Sequence, residues 1–340
     1  MSEEKHITLR DVATAAKVGL ATASRALRDD PSTAEKTREH VKKVAAQLGY
    51  HPDPGMSQLI ERRWRGKNSR LGVNLCYLYD KKSINAEVLK IDYQRYKDAA
   101  SALGYTLIIE DIFEFNSLKS LSNRLYAKGI KGLILPILPD VPFDLTPILK
   151  KYAAVGIGVS EYAPECPVVM HDEFFCVTKA WEILTKKGYR RIGMILPDYP
   201  ESPSTNLRLG AALVCQDHTR PENRIPTLFL ESGHDLDYAK FEKWMKKYKP
   251  DVLLANTHER VDDLQKHGLR IPEDIPFAAS NQWDPAERGN IAGFFRANLQ
   301  LFEQGIQLLN MMIRSGTVGT ARANLVELVK GSWIDGTSLP

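Results

Sequence analysis

The sequence predicts an N-terminal all-α helix-turn-helix domain joined to an α/β core of two Rossmann-like lobes. Three observations predict it. Two short helical stretches separated by a tight break, and then a third, occupy residues 7–49. From Arg70 onward, short apolar strands alternate with helices through the rest of the 340 residues. Residues 1–70 hold fourteen Lys and Arg against nine Asp and Glu, a net +5 in a chain whose total is +4, so the remaining 270 residues net −1. A basic arm on a near-neutral core suits a polyanionic partner for the arm alone.

The first helix starts at Leu9. Thr8 can cap it, and Asp11 three residues later completes a capping box. Leu9, Val12, Ala13 and Ala16 recur at helical spacing and make one apolar face. Lys17-Val18-Gly19 interrupts it. A second helix runs from Leu20 to about Arg28, with Thr22, Ala23, Ala26 and Leu27 facing the first. In a helix-turn-helix the second helix enters the major groove with its N-terminal residues near base edges. An ordinary small helical bundle shows the same spacing. A third helix places Val41, Val44, Ala45 and Leu48 on one face and ends at Gly49. Ser32 or Thr33 is expected to cap it, Ser32 forming a box with Glu35.

Residues 1–50 are thus read as the helix-turn-helix domain, 51–69 as a linker and 70–340 as the core. In the linker, Asp53 can cap a short helix with Pro54 at its first position. A helix of one or two turns containing Gly55 is unstable alone in water, so it is expected to order only on binding.

The core opens with the strand LGVNLCYLY and a helix over Ala86–Leu103, closed by Gly104. Strand YTLIIED, helix Leu118–Lys128, strand IKGLILPIL and helix Phe143–Tyr152 follow. AAVGIGVS and VVMHDE read as short strands, Phe174–Lys187 as a helix, YRRIGMILP as a strand and Arg208–Asp217 as a helix. Then come strand TLFLES, helix Tyr238–Tyr248, strand DVLLANT, a weaker helix Val261–Lys266 and strand PFAAS. IAGFFRAN and a helix over Leu299–Arg314 return the chain, and ANLVELVKGSWIDG closes it. The run is too long for one sheet of ordinary size. Two similar lobes joined by crossing segments fit better.

Signatures of enzymatic chemistry are missing. Gly156-Ile157-Gly158 lacks the third glycine of a dinucleotide loop, and there is neither a phosphate-binding G-x-x-x-x-G-K-[ST] nor a G-x-S-x-G elbow. The eight His residues do not pair at metal spacings. No cofactor and no metal are expected, and an enzyme has no constellation to stand on. Cys76, Cys166, Cys176 and Cys215 are scattered without a C-x-x-C, and no stretch resembles a signal peptide or a membrane span. The expectation is a cytoplasmic protein with reduced thiols and no membrane partner.

Open α/β lobes bind ligands at the carboxyl ends of their strands. The candidates there are Tyr77 and Tyr79 on the first strand, Asp172 at the end of VVMHD, and Arg208, Asn256, Asn281 and Trp283. Each has a plainer role available: Asp172 as a helix N-cap before Phe174, Arg208 in a structural ion pair, Asn281 and Trp283 as loop and core fillers.

The segments LRDVATAAKVGLATASRAL and KTREHVKKVAAQLGYHP resemble the N-terminal signature of the lactose-repressor (LacI/GalR) family over about sixty residues. That family has a D-V-A, a V-S-x-x-T-V-S-R turn and recognition helix, a T-R-x-x-V helix and L-G-Y-x-P. Its turn serine is Gly19 here, and its cap before the third helix is Ala34. The core resembles the family's effector-binding domain, of periplasmic-binding-protein type, in LKIDYQRYKDAASALGYTLII, KGYRRIGMI, NLRLG and PDVLLANT.

This resemblance implies a homodimeric DNA-binding regulator, most simply a repressor, that reads a pseudo-palindromic operator in double-stranded DNA and senses a small polar, sugar-like effector. A binding protein of transport type is the runner-up, disfavoured by the helix-turn-helix. Leu20, Ala21 and Arg25 are expected at base edges, with Arg28 closing the same helix. Thr8, Thr22, Ser24 and Thr37 are expected at phosphates. Leu59 falls on the hinge leucine that wedges into the minor groove, while the family's hinge Ala and Arg are Met56 and Ser57.

In the core, Asp172 and Asn281 fall where acidic residues bond ligand hydroxyls, Arg208 on a ligand-clamping arginine, and Asn256 on a polar lining position. Phe174 and Trp283 would be apolar walls. The family's strand-end Asp is Thr257 here, its second acid is Asn281, and bulky Phe174, Phe175 and Cys176 replace small residues. With Asn281 in place of an acid beside Arg208, an effector carrying an acidic group, such as a uronate or sugar phosphate, is expected. No apolar heptad follows Gly331, so no assembly beyond the dimer is expected.

Overall fold

The structure, a computed structural model, describes residues 7–27, 33–48, 50, 73–81, 84–136, 141–158, 165–198, 203–230, 237–257, 259–282, 290–295 and 298–340. The arm forms three helices, α1 (Leu9–Ala15), α2 (Leu20–Leu27) and α3 (Glu35–Gln47). The Thr8–Asp11 capping box is present: the Asp11 amide donates to Thr8 Oγ1 at 3.3 Å and the Thr8 amide to Asp11 Oδ2 at 2.8 Å. α1 ends in a Schellman motif, with Val18 N–H donating to Ala13 O and Lys17 N–H to Thr14 O. The left-handed residue of that motif is Lys17, at φ 54°, and not the glycine two positions later. Val12, Ala13, Ala16, Ala23, Ala26, Val41 and Ala45 are buried together, so alanines line the α1–α2 contact and hold the two backbones close.

The expected cap of α3 is corrected. The N-cap position is Ala34, which has no side chain to offer and leaves no room for a Ser32–Glu35 box. Thr33 is buried and contributes only its carbonyl, to Arg38. Ser32 lies outside the described residues.

In the core, β1 (Val73–Tyr79), α4 (Ile84–Ala102), β2 (Tyr105–Asp111), α5 (Leu118–Ala127), β3 (Ile130–Leu135), α6 (Thr146–Leu149), β4 (Ala153–Ile157) and β5 (Val168–His171) build the first lobe. The second lobe contains α7 (Glu173–Lys186), β6 (Ile192–Pro197), α8 (Pro203–Asp217), β7 (Leu228–Leu230), α9 (Tyr238–Tyr248), β8 (Val252–Ala255), α10 (Glu259–Lys266), β9 (Phe277–Gln282) and β10 (Ala292–Phe295). The chain then returns as α11 (Asn298–Ser315) and β11 (Val326–Val329) to the first lobe, and ends with β12 (Ser332–Ile334) in the second.

The sheets repeat one order, β2-β1-β3-β4-β5-β11 and β7-β6-β8-β9-β10-β12. All paired neighbours are parallel except β10 and β12, where Gly293 faces Ile334 in antiparallel register. Each sheet is covered on both faces, which is why its strands read as near-continuous apolar runs rather than alternating ones.

Two helices differ from expectation by three residues or more at an end. The helix expected over Phe143–Tyr152 is a single turn, Thr146–Leu149. Pro147 fits only a helix's first turn, and the Asp144 carboxylate takes the Thr146 amide at 2.9 Å just before it. α8 starts at Pro203, five residues earlier than read, with the proline at its first position.

Three segments cross between the lobes: β5 to α7, β10 to α11, and β11 to β12. All three leave a strand at its carboxyl end, so the carboxyl edges of the two sheets adjoin the same crossing region. The crossings are also bonded together. Asp172 N–H donates to Val329 O at 2.9 Å, and His171 Nε2 lies 3.5 Å from Asn298 Oδ1.

Candidate functional site

The outer surface of α2 and the first turns of α1 and α3 form the arm's candidate nucleic-acid interface. α2 is anchored by Ala23 and Ala26, both fully buried. That anchoring turns Leu20, 47 % exposed, outward at the first helical position. An apolar side chain exposed at the start of a short helix lacks a packing reason and suits contact with a base edge. Arg25 is exposed on the last turn, and Thr22 and Ser24 are half-buried on the same helix. Thr37, half-buried, sits in the first turn of α3. The Thr8 hydroxyl is engaged in its own cap, donating to Asp11 Oδ2 at 2.6 Å. The side chain of Ala21, and all of Arg28 and Leu59, lie outside the described residues.

At the core's carboxyl edges the candidates divide. Tyr77 is displaced from the expected cleft position: it is 5 % exposed, inside the first lobe, its ring 6.3 Å from Tyr96 and 6.2 Å from Phe302. Burial pushes its phenol well above the ordinary range. Tyr79, two residues on and so on the same face, is half-buried against that core.

Asp172 caps α7, its Oδ1 accepting the Phe175 amide at 2.9 Å. Phe174, 41 % exposed, projects from the first turn of α7. Asn256 follows β8 and is half-buried, and its Oδ1 is buried with no hydrogen-bond partner among the described residues. Asn281 is buried within β9, and Trp283 lies outside the described residues.

Arg208 is 2 % exposed and faces Glu173, 4 % exposed, the first residue of α7. Arg208 Nε donates to Oε2 at 3.0 Å and Nη2 to Oε1 at 2.7 Å. Both carboxylate oxygens are therefore taken by the guanidinium fork, the bidentate geometry that makes such pairs strong and specific. The structural ion pair, one of the two roles read from the sequence, is the one present. Where an acidic effector was expected beside Arg208, Glu173 supplies a carboxylate from within the chain.

Two residues here were missed from the sequence. Glu173 was passed over beside Asp172, although a buried arginine demands an acid within reach. Asp80, buried directly after β1, sits at a strand end like the residues chosen.

Among the described residues, no group of three or more His, Cys, Asp or Glu could hold a metal ion. No described helix is long and apolar enough to cross a membrane. A helix-turn-helix arm joined to a two-lobed α/β core defines a transcriptional regulator.

Residues 8–53 match the family described as bacterial regulatory proteins, lacI family. The chain is 28 % identical over 286 residues to the HTH-type transcriptional repressor CytR of Escherichia coli (strain K12), covering 80 % of this chain and 79 % of that one. It is 25 % identical over 276 residues to the HTH-type transcriptional regulator MalR of Streptococcus pneumoniae serotype 4, covering 78 % and 82 %. The fold is similar to that of the lac repressor dimer bound to operator and the anti-inducer ONPF, with TM-score 0.56 at 19 % identity over 99 % of this chain and 100 % of that one. It is equally similar to that of the transcriptional regulator CelR in complex with cellobiose, with TM-score 0.57 at 18 % identity over 98 % and 99 %. The match to the lacI family covers the arm, and the similarity to repressors and regulators extends over the core.

Proposed function

We propose that this chain is a cytoplasmic transcriptional repressor that binds a pseudo-palindromic operator as a homodimer and is controlled by a small sugar-like effector held between the lobes. The observation that carries the DNA-binding half is α2: one face is buried by alanines, and the other offers Leu20 at its start and Arg25 near its end. Leu20 and Ala21 contribute apolar contact, for instance to a thymine methyl, and Arg25 can bond guanine bidentately. Thr22, Ser24 and Thr37 contribute phosphate contacts that set register, while Thr8 caps α1. Relatives and structural neighbours support the assignment, being repressors and regulators, one in complex with operator and one with cellobiose. Selection of random duplexes by the purified full-length protein tests it. The expected result is an inverted repeat with two equivalent half-sites, and a bound pool without enrichment would remove the proposal.

The linker completes this reading. Leu59 is assigned as a minor-groove wedge in a hinge helix that folds on DNA, starting from Asp53 and Pro54. Leu59→Ala should weaken binding to the selected site far more than binding to random DNA, because only the specific complex is kinked around the wedge. Equal losses on both, measured by titration at one salt concentration, would leave Leu59 a plain contact.

A further inference from the structure

We propose that Glu173 is a specificity-determining residue of the core: its carboxylate fills the fork of Arg208, so that the core admits an effector without an acidic group. The inference rests on the effector site proposed above and names the chemical class it takes.

Glu173 is the first residue of α7, immediately after the β5-to-α7 crossing. The paired head groups therefore sit at the carboxyl edge of the second lobe, where the strands end. A buried guanidinium there would be the obvious anchor for a carboxylate or phosphate arriving between the lobes. Glu173 occupies it from within the chain, with both oxygens at hydrogen-bond distance.

Of the other described cations at these edges, Lys330, after β11, lies over the Phe175 ring at 4.7 Å from its centroid, and two face acids. Lys81, after β1, lies 3.1 Å from Asp111 and 3.6 Å from Glu114. Arg260, in the first turn of α10, lies 3.3 Å from Asp263. The strand ends also present Asp80 after β1, Asp172 after β5, Asp198 after β6, and the amides Asn256, Asn281 and Gln282 on the second lobe. The Asn256 Oδ1, buried without a partner, calls for a donor such as a hydroxyl or an N–H. An anion entering this cleft meets carboxylates and amide oxygens, whereas a neutral polyol meets acceptors suited to its hydroxyls.

Thermal unfolding of the full-length protein tests the proposal, with inorganic phosphate, glucose 6-phosphate and glucuronate as probes against sodium chloride of equal ionic strength. The parent should show no rise beyond the salt control. Glu173→Gln frees the fork and should gain a rise of roughly 2–4 °C with the anionic probes, and the added change Arg208→Met should abolish the gain. Should Glu173→Gln fail to fold, Glu173→Asp, which keeps the charge but withdraws it by one methylene, takes its place in the same comparison. A parent stabilised by the anionic probes as strongly as the variant overturns the proposal, as does a folded variant with no gain. Operator selection on the parent is independent of this readout, so failure here leaves the DNA-binding assignment standing.

Discussion

Arg25 carries the sharpest test at the scale of single residues. It is exposed on a helix whose opposite face is locked by Ala23 and Ala26, so truncating it removes a reading group and leaves that buried face in place. Arg25→Ala should cost about 1–3 kcal/mol of specific affinity and relax one position per half-site. A repeated selection that returned the parent's site unchanged would refute the assignment. The cysteines give a second test. Burial pushes the Cys166 and Cys176 thiols up to about 12 and the half-buried Cys215 to about 11, and it drives Cys76 higher still. The thiolate is the nucleophile, so all four should alkylate slowly at pH 8 and faster as the pH rises toward these values, with Cys215 first. Mass spectrometry after timed iodoacetamide treatment of the folded protein checks the order, and early labelling of Cys76, Cys166 or Cys176 would contradict it.

The Arg208–Glu173 pair works at the scale of elements, as a staple between α7 and α8. Around it Cys176, Val177, Ala180 and Trp181 of α7 and Ala211 and Ala212 of α8 lie in one apolar core. Removing one partner strands a buried charge. Arg208→Met alone should therefore destabilise the core by about 3–5 kcal/mol, while Arg208→Met with Glu173→Leu should recover most of the loss. Denaturant unfolding of the two variants decides this, and equal losses in both would show that the pair itself stabilises the fold. The same elements show what was legible in the sequence. The strand–helix order, the Thr8–Asp11 box and the limits of α9 follow from local signals: apolar periodicity, a capping pair and turn residues. The partner of Arg208 did not, because Glu173 is thirty-five positions away and the pairing exists only once two helices dock. Tyr77 was misplaced for a related reason. Reading a strand's end from sequence does not show which face α11 covers, and Phe302 of α11 covers that tyrosine.

The assembly expected for the whole molecule is a dimer of two 38.3 kDa chains. One arm offers a recognition helix of eight residues, which spans only a few base pairs. Specific binding then needs a second arm at fixed separation, and a two-fold axis through the core supplies it. The residues after β11 are folded into the second lobe. Ser338 Oγ donates to Phe277 O and accepts the Ala292 amide, both at 2.8 Å, and Leu339 is buried in the core beside β9 and β10. Sedimentation equilibrium at micromolar concentration should return the mass of two chains, and a mass of one would refute the assignment. In such a dimer the crossing segments connect effector to operator. The strand ends that carry Asp172 and Val329 are bonded to each other at these crossings. The coupling must be reciprocal: an effector that changes operator affinity by some factor has its own affinity changed by the same factor when operator is bound. Titrating effector into the dimer with and without the selected duplex measures both factors, and their inequality at equilibrium would show that a third species is taking part.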